Sequence, residues 1–158
     1  MARAADPDAE HEFGGPWTEL KLGAITDYLS FFTAALKYKP NATKPFELWY
    51  VDAFAGSGER VANQASGGLL DGRPVDVERV SLPGSVKRAL AIEPSFKHFV
   101  FIEQDSDRHA ALQRLAAAHP QRRIVCRDGE ANEELQRLFG SPPWSSQYRG
   151  RGLHRAVV

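Results

Sequence analysis

The stretch Asp52-Ala53-Phe54-Ala55-Gly56-Ser57-Gly58 sets an acid at the end of an apolar, β-forming run and then two glycines one residue apart. Glycine admits φ > 0 there and leaves no Cβ between the backbone and a ligand. In an α/β sheet, ligands sit in the crevice beyond the carboxyl ends of the strands, which is where such a turn would lie. Asp52 can accept hydrogen bonds from an amine or a hydroxyl group. A plainer reading also stands, a tight turn whose glycines serve geometry alone. Glu103 closes a second apolar run, Phe99–Ile102, where a carboxylate can accept from both hydroxyls of a ribose. Its alternative is a surface carboxylate at a strand end, and Asp105 is the better candidate for capping the following helix. Asp128, in Arg127-Asp128-Gly129, closes a third run and either reaches an adenine amino group or serves as a turn aspartate.

Three nucleotide chemistries compete for the glycine turn. A phosphate-cradling P-loop needs GxxxxGK[ST], and Gly56-Ser57-Gly58-Glu59-Arg60 has no lysine–hydroxyl pair. A dinucleotide turn wants GxGxxG/A, and the third position here is Val61. The S-adenosylmethionine site of methyltransferases, with an acid on the first strand before the glycines, fits best. The candidate cofactor-binding set is therefore Asp52, Ala53, Phe54, Gly56, Gly58, Glu103 and Asp128. Five histidines show no HxH or HExxH spacing, so no metal site is expected. Cys126 is the only cysteine, which excludes an internal disulfide and a CxxC knuckle.

The elements that must position these residues alternate. Trp17–Lys37 reads as a helix, with Leu22, Ile25, Leu29, Phe32 and Leu36 as its apolar stripe, Thr18 as its N-cap and Pro40 beyond its end. Residues 47–54 read as a buried strand. Residues 59–83 hold three glycines, two prolines and no sustained period, and are expected to form an insertion loop that is either functional or disordered. Ser85–Ile92 reads as a helix and 98–105 as a strand. A helix capped by Asp105 or Ser106 runs to about His119 on Ala111, Leu112, Leu115 and Ala116. Residues 123–129 form a strand, and Leu135, Leu138 and Phe139 mark a short helix. A basic loop at 140–154 leads to a last apolar run beginning at Arg155. The expected class is α/β with a mainly parallel sheet and flanking helices, a partial Rossmann-like methyltransferase fold.

At 158 residues the chain fits one domain, and 42% hydrophobic with 25% charged residues is ordinary globular usage. Twenty basic residues cancel twenty acidic ones, so no overall charge draws the chain to nucleic acid or an anionic membrane. The cancellation is uneven. Residues 1–16, expected to be a mobile acidic tail, hold Arg3 against Asp6, Asp8, Glu10 and Glu12, whereas residues 140–158 hold Arg149, Arg151 and Arg155 without an acid. No apolar stretch approaches the ~18 residues of a membrane helix, and a cytoplasmic protein is expected.

The ordered set WTELKLGAITDYLSFF, YVDAFAGSG, GSVKRALAI, FVFIEQD and RDGEANEEL resembles the three-Cys-motif partner proteins, a bacterial group with a methyltransferase-like fold. The resemblance spans about residues 16–139, and HRAVV is similar to the start of that family's fourth strand. It implies S-adenosylmethionine as cofactor and a three-Cys-motif protein as partner. It also implies that Trp17 and Lys21 lie against the cofactor, the ammonium on the methionine carboxylate and the indole over the ring; a hydrophobic anchor and a solvated helix face are the alternatives. In that family the fourth strand ends in an Asp-Pro type motif that orients the methyl acceptor. This sequence stops at Val158, so a chain lacking the acceptor half is expected, with self-association through an unpaired edge strand. Two other functions stay open: a non-catalytic cofactor- or protein-binding module, and a nucleic-acid-modifying enzyme whose basic loop touches phosphate.

Overall fold

In the computed structural model, residues 16–68, 73–141 and 155–157 are described. The elements are α1 (Pro16–Leu36), β1 (Pro40–Asn41), β2 (Lys44–Pro45), β3 (Glu47–Asp52), β4 (Glu59–Gly68), β5 (Arg73–Pro83), α2 (Ser85–Leu90), β6 (His98–Glu103), α3 (Ser106–Ala117), β7 (Arg123–Asp128), α4 (Ala131–Gly140) and β8 (Arg155–Val157). The class is mixed α/β, as the alternating pattern predicts.

Four strands form a parallel sheet in the order β7-β6-β3-β8. β3 and β6 are central, and their side chains divide by parity. Leu48, Tyr50, Phe99 and Phe101 join Leu29 of α1, Val86, Ala89 and Leu90 of α2 and Leu112 of α3 in one core. Trp49, Val100 and Ile102 face the other way and join Leu138 of α4. Strands covered on both faces read as unbroken apolar runs, which is why LWYV and FVFI lack polar alternation. Full burial of Phe99, Phe101 and Ile102 contributes about 1.5–3 kcal/mol for each side chain. The rings of Tyr50, Phe96, Phe99 and Phe101 lie 5.4–6.4 Å apart in tilted and edge-on pairs.

Several sequence expectations need correction. The run 59–83 is not a structureless loop; β4 and β5 pair antiparallel from Glu59↔Pro83 to Gly68↔Arg73. A hairpin is held by backbone hydrogen bonds along its whole ladder, so it forms without a long apolar period. Thr18 does not cap α1, because the helix already begins at Pro16, a residue suited to the first turn since its missing N–H would have no partner there. Ile25 and Phe139, read as core-facing, are about half exposed. Asp105 does cap α3, accepting from the Arg108 N–H at 2.9 Å. The expected acidic tail and most of the basic loop fall at 1–15 and 142–154, outside the described residues. No helix among the described residues is long and apolar enough to cross a membrane.

Candidate functional site at the carboxyl end of the sheet

β6 and β7 continue to one side of β3, and β8 pairs on its other side. The order reverses at β3, and the chain leaving it enters the glycine turn. Such a reversal opens a crevice beyond the strand ends.

The turn folds back over the end of β6. Ala55 N–H donates to the Ile102 carbonyl at 3.1 Å, and Gly56 N–H donates to Oε2 of Glu103 at 2.9 Å. Gly56 has φ +62° and open space where a Cβ would stand. Gly58 has φ +83°, and a Cβ there would come within 3.0 Å of Leu115. One glycine faces outward at the crevice, and the other lets the turn press on α3.

Glu103 is only 8% exposed. Its Oε1 accepts from the Asp105 N–H at 2.9 Å, and Arg108 Nε lies 3.9 Å from the same oxygen. A carboxylate offers about four lone-pair sites, so two backbone donors leave capacity for ligand hydroxyls. The cavity beside it, about 200 Å³, is lined by Ala53, Phe54, Gly56, Glu103, Gln104, Arg108, Gly129, Glu130 and Ala131. Phe54 is 81% exposed at its edge.

The wall beyond β7 depends on α4. Glu130 caps that helix by accepting from the Glu133 N–H at 3.0 Å, and the backbone N–H groups of Asn132 and Glu133 hold its carboxyl below the usual range. Gly129 has φ +155°, and a Cβ there would come within 3.0 Å of Glu134 Cγ. Glu134 is buried and accepts from Arg127 at 3.1 Å and from Arg137. The Arg127 guanidinium is the main reason its carboxyl sits low.

The structure brings together Ala53, Phe54, Gly56 and Glu103 of the sequence-derived set. Asp52 is adjacent in the chain but does not line the cavity; it accepts from Phe54 N–H at 3.1 Å and from the Ser85 hydroxyl at 2.6 Å. Gly58 supports the turn from beneath. Asp128 is exposed and off the lining, although its backbone pairs with Glu103. Trp17 and Lys21 contact each other, with Lys21 Nζ 5.3 Å from the indole centroid, and neither lines the cavity. Sequence reasoning missed Gln104, Arg108, Gly129, Glu130 and Ala131. The available signal was adjacency, since Gln104 follows Glu103 and residues 129–131 follow Asp128.

Among the described residues, no group of three or more His, Cys, Asp or Glu could hold a metal ion. Comparison of the chain with family models, curated proteins and solved structures returns no match.

Proposed function

We propose that this protein binds S-adenosylmethionine at the carboxyl end of its sheet, as a methyltransferase-like protein of the three-Cys-motif partner type acting with a three-Cys-motif protein. The observation that carries the reading is the buried Glu103 carboxylate, tied to the Gly56 N–H and bordering the cavity beside the glycine turn. A carboxylate fixed by two backbone donors is pre-oriented, so it meets a ribose diol with little reorganisation. The strand order β7-β6-β3-β8 supports a Rossmann-like arrangement around that site.

The cavity is below the ~300–1,000 Å³ of drug-sized ligand clefts, so in this reading it takes the nucleoside end, and the methionine end lies in the open crevice. Methyl transfer needs an acceptor held in line with the sulfonium, chiefly a proximity effect. The test is calorimetry with S-adenosylmethionine, S-adenosylhomocysteine and NAD on the full chain. Saturable binding of the first two, lost in Glu103→Ala while the variant still melts cooperatively, supports the reading. Binding of NAD alone, or of none of the three, refutes it.

A further inference from the structure

α1 is apolar on two sides, and the core uses one of them. Leu29 and Thr33 are buried, and Phe32 and Leu36 pack partly buried against the core. Elsewhere on the helix, Trp17, Leu20, Tyr28 and Phe31, with Tyr38 just past its end, are between 56% and 74% exposed. Ala24 and Ala35, also exposed, lie between them. The positions 17, 20, 24, 28, 31, 35 and 38 advance by threes and fours, so they form one stripe about 30 Å long at 1.5 Å per residue.

We propose that two copies of this chain pair through that stripe, antiparallel about a two-fold axis. Reversed so that its ends meet, the stripe pairs six of its seven positions with one another, and Tyr28 comes beside the partner's Asp27 at the axis. Position 17 meets 38, 20 meets 35, 24 meets 31, and 27 and 28 flank the axis. Large then opposes small: Ala24 faces the partner's Phe31, and Leu20 faces the partner's Ala35. Interdigitation of this kind is what close helix packing requires, and a two-fold interface must be self-complementary. At each end Trp17 meets the partner's Tyr38. Lysines border both rings, with Lys21 Nζ 5.3 Å from the Trp17 centroid and Lys37 Nζ 5.1 Å from that of Tyr38. They supply the polar rim of the interface. The two Asp27 carboxylates reach the rim near the axis, where solvent screens them.

Area agrees with this occupant. With aromatic side chains at ~150–250 Å² each, full cover of the stripe removes about 650 Å² per copy from water, close to the ~800 Å² per partner of a stable interface. Nothing in this pairing depends on the cofactor reading.

Sedimentation equilibrium of the full chain up to about 100 µM is the first test, with a dimer expected at that concentration. Phe31→Asp should be monomeric and still melt cooperatively by circular dichroism, at the temperature of the wild-type chain diluted to its monomer. Ala24→Phe should weaken the dimer about tenfold by overpacking, and adding Phe31→Ala should restore it, because large and small residues exchange sides. In a Cys126→Ala background, Tyr28→Cys should oxidise to a covalent dimer. Trp17→Cys should not, because its two copies lie about 30 Å apart along the seam. A monomer throughout, a Phe31→Asp dimer, no restoration in the double variant, or cross-linking through Trp17→Cys would overturn the proposal.

Discussion

The ends of β3 and β6 carry one carboxylate each, at neighbouring places in the sheet, and the two are employed differently. Asp52 closes a knot within the protein. It joins the Phe54 N–H to the Ser85 hydroxyl of α2, with the Tyr50 hydroxyl 3.5 Å from the same oxygen that Ser85 reaches. Burial, with the Asp52 charge next, pushes the Tyr50 phenol well above its ordinary range. Glu103 also accepts two donors, but both are backbone N–H groups, one from the glycine turn and one from the start of the next helix segment. Its carboxylate borders the cavity, whereas that of Asp52 does not. An acid at a strand end thus becomes a candidate ligand-binding group through what its remaining lone pairs face.

The strongest way to break this contrast is Asp52→Ala. It removes two well-formed bonds to a partly buried carboxylate and should cost about 3 kcal/mol or more of unfolding free energy in urea, since bonds to charged groups are worth ~1.5–3 kcal/mol each. A stable variant that had lost only cofactor binding would reverse the roles assigned to the two acids. Glu103→Gln comes next. One amide oxygen replaces two carboxylate oxygens, so stability should fall by about 1–2 kcal/mol. The affinity for S-adenosylmethionine should fall about tenfold or more by calorimetry. Equal affinity in the variant would return Glu103 to a purely structural part.

Ser85→Ala sharpens the contrast by cutting one bond of the knot. About 1.5 kcal/mol, the low end for a bond to a charged group, should be lost, with cofactor affinity unchanged. A large affinity change would couple α2 to the cavity.

Acid titration gives the most gradual effect. Burial holds the His98 imidazole below its ordinary 6.5 despite Glu47 alongside it, and Arg127 holds Glu134 below its ordinary 4.5. In both cases the folded state binds its proton less readily than the unfolded chain. Each contribution is therefore complete above the ordinary value and is lost as pH falls through the lower, folded one. The melting temperature should decline as pH drops below 6.5 and more steeply below 4.5. A flat or rising profile would show that neither group is held as described.

The core of the fold was legible because FVFI and LWYV are too apolar to be anything but strands covered on both sides. Asp105 was legible as a cap because its side chain acts three residues away. The hairpin was not, since its strand signal comes in two short pieces, Val75-Asp76-Val77-Glu78 and Val80-Ser81-Leu82, which Arg79 puts out of step with each other. The acids at the strand ends could be found from sequence, but their partners could not. The Asp52–Ser85 bond spans 33 residues and that between Gly56 and Glu103 spans 47, distances over which only the packed sheet sets the geometry. Glu130 and Ala131 escaped notice for a related reason, because they reach the cavity from a third strand. Asp128 marks the end of that strand in the sequence, but which of the residues after it line the cavity is set by the strand order and the start of α4.

The hairpin leaves and re-enters the fold through a narrow gate, where the Gly84 N–H donates to the Gly58 carbonyl at 3.0 Å. A Cβ on Gly84 would stand 3.1 Å from that oxygen, so the two glycines close the gate tightly. Whatever lies between them is, for the sheet, a single stitch. Residues 60–83 could be exchanged for a shorter turn, or lengthened by a guest sequence, without moving the points at which β3 hands over to α2. Loop closure changes by only ~0.6 kcal/mol for each doubling of length, so the main losses on excision would be local ones. Among these are the pairing of Arg60 with Glu19, the Ser81–Glu59 bond, the bond from Arg88 Nε to the Pro83 carbonyl and the burial of Ala62. The gate makes this segment a natural grafting port: reporter peptides or binding loops can be carried there at a fixed anchor spacing, on the opposite flank of the glycine turn from the strand that feeds it.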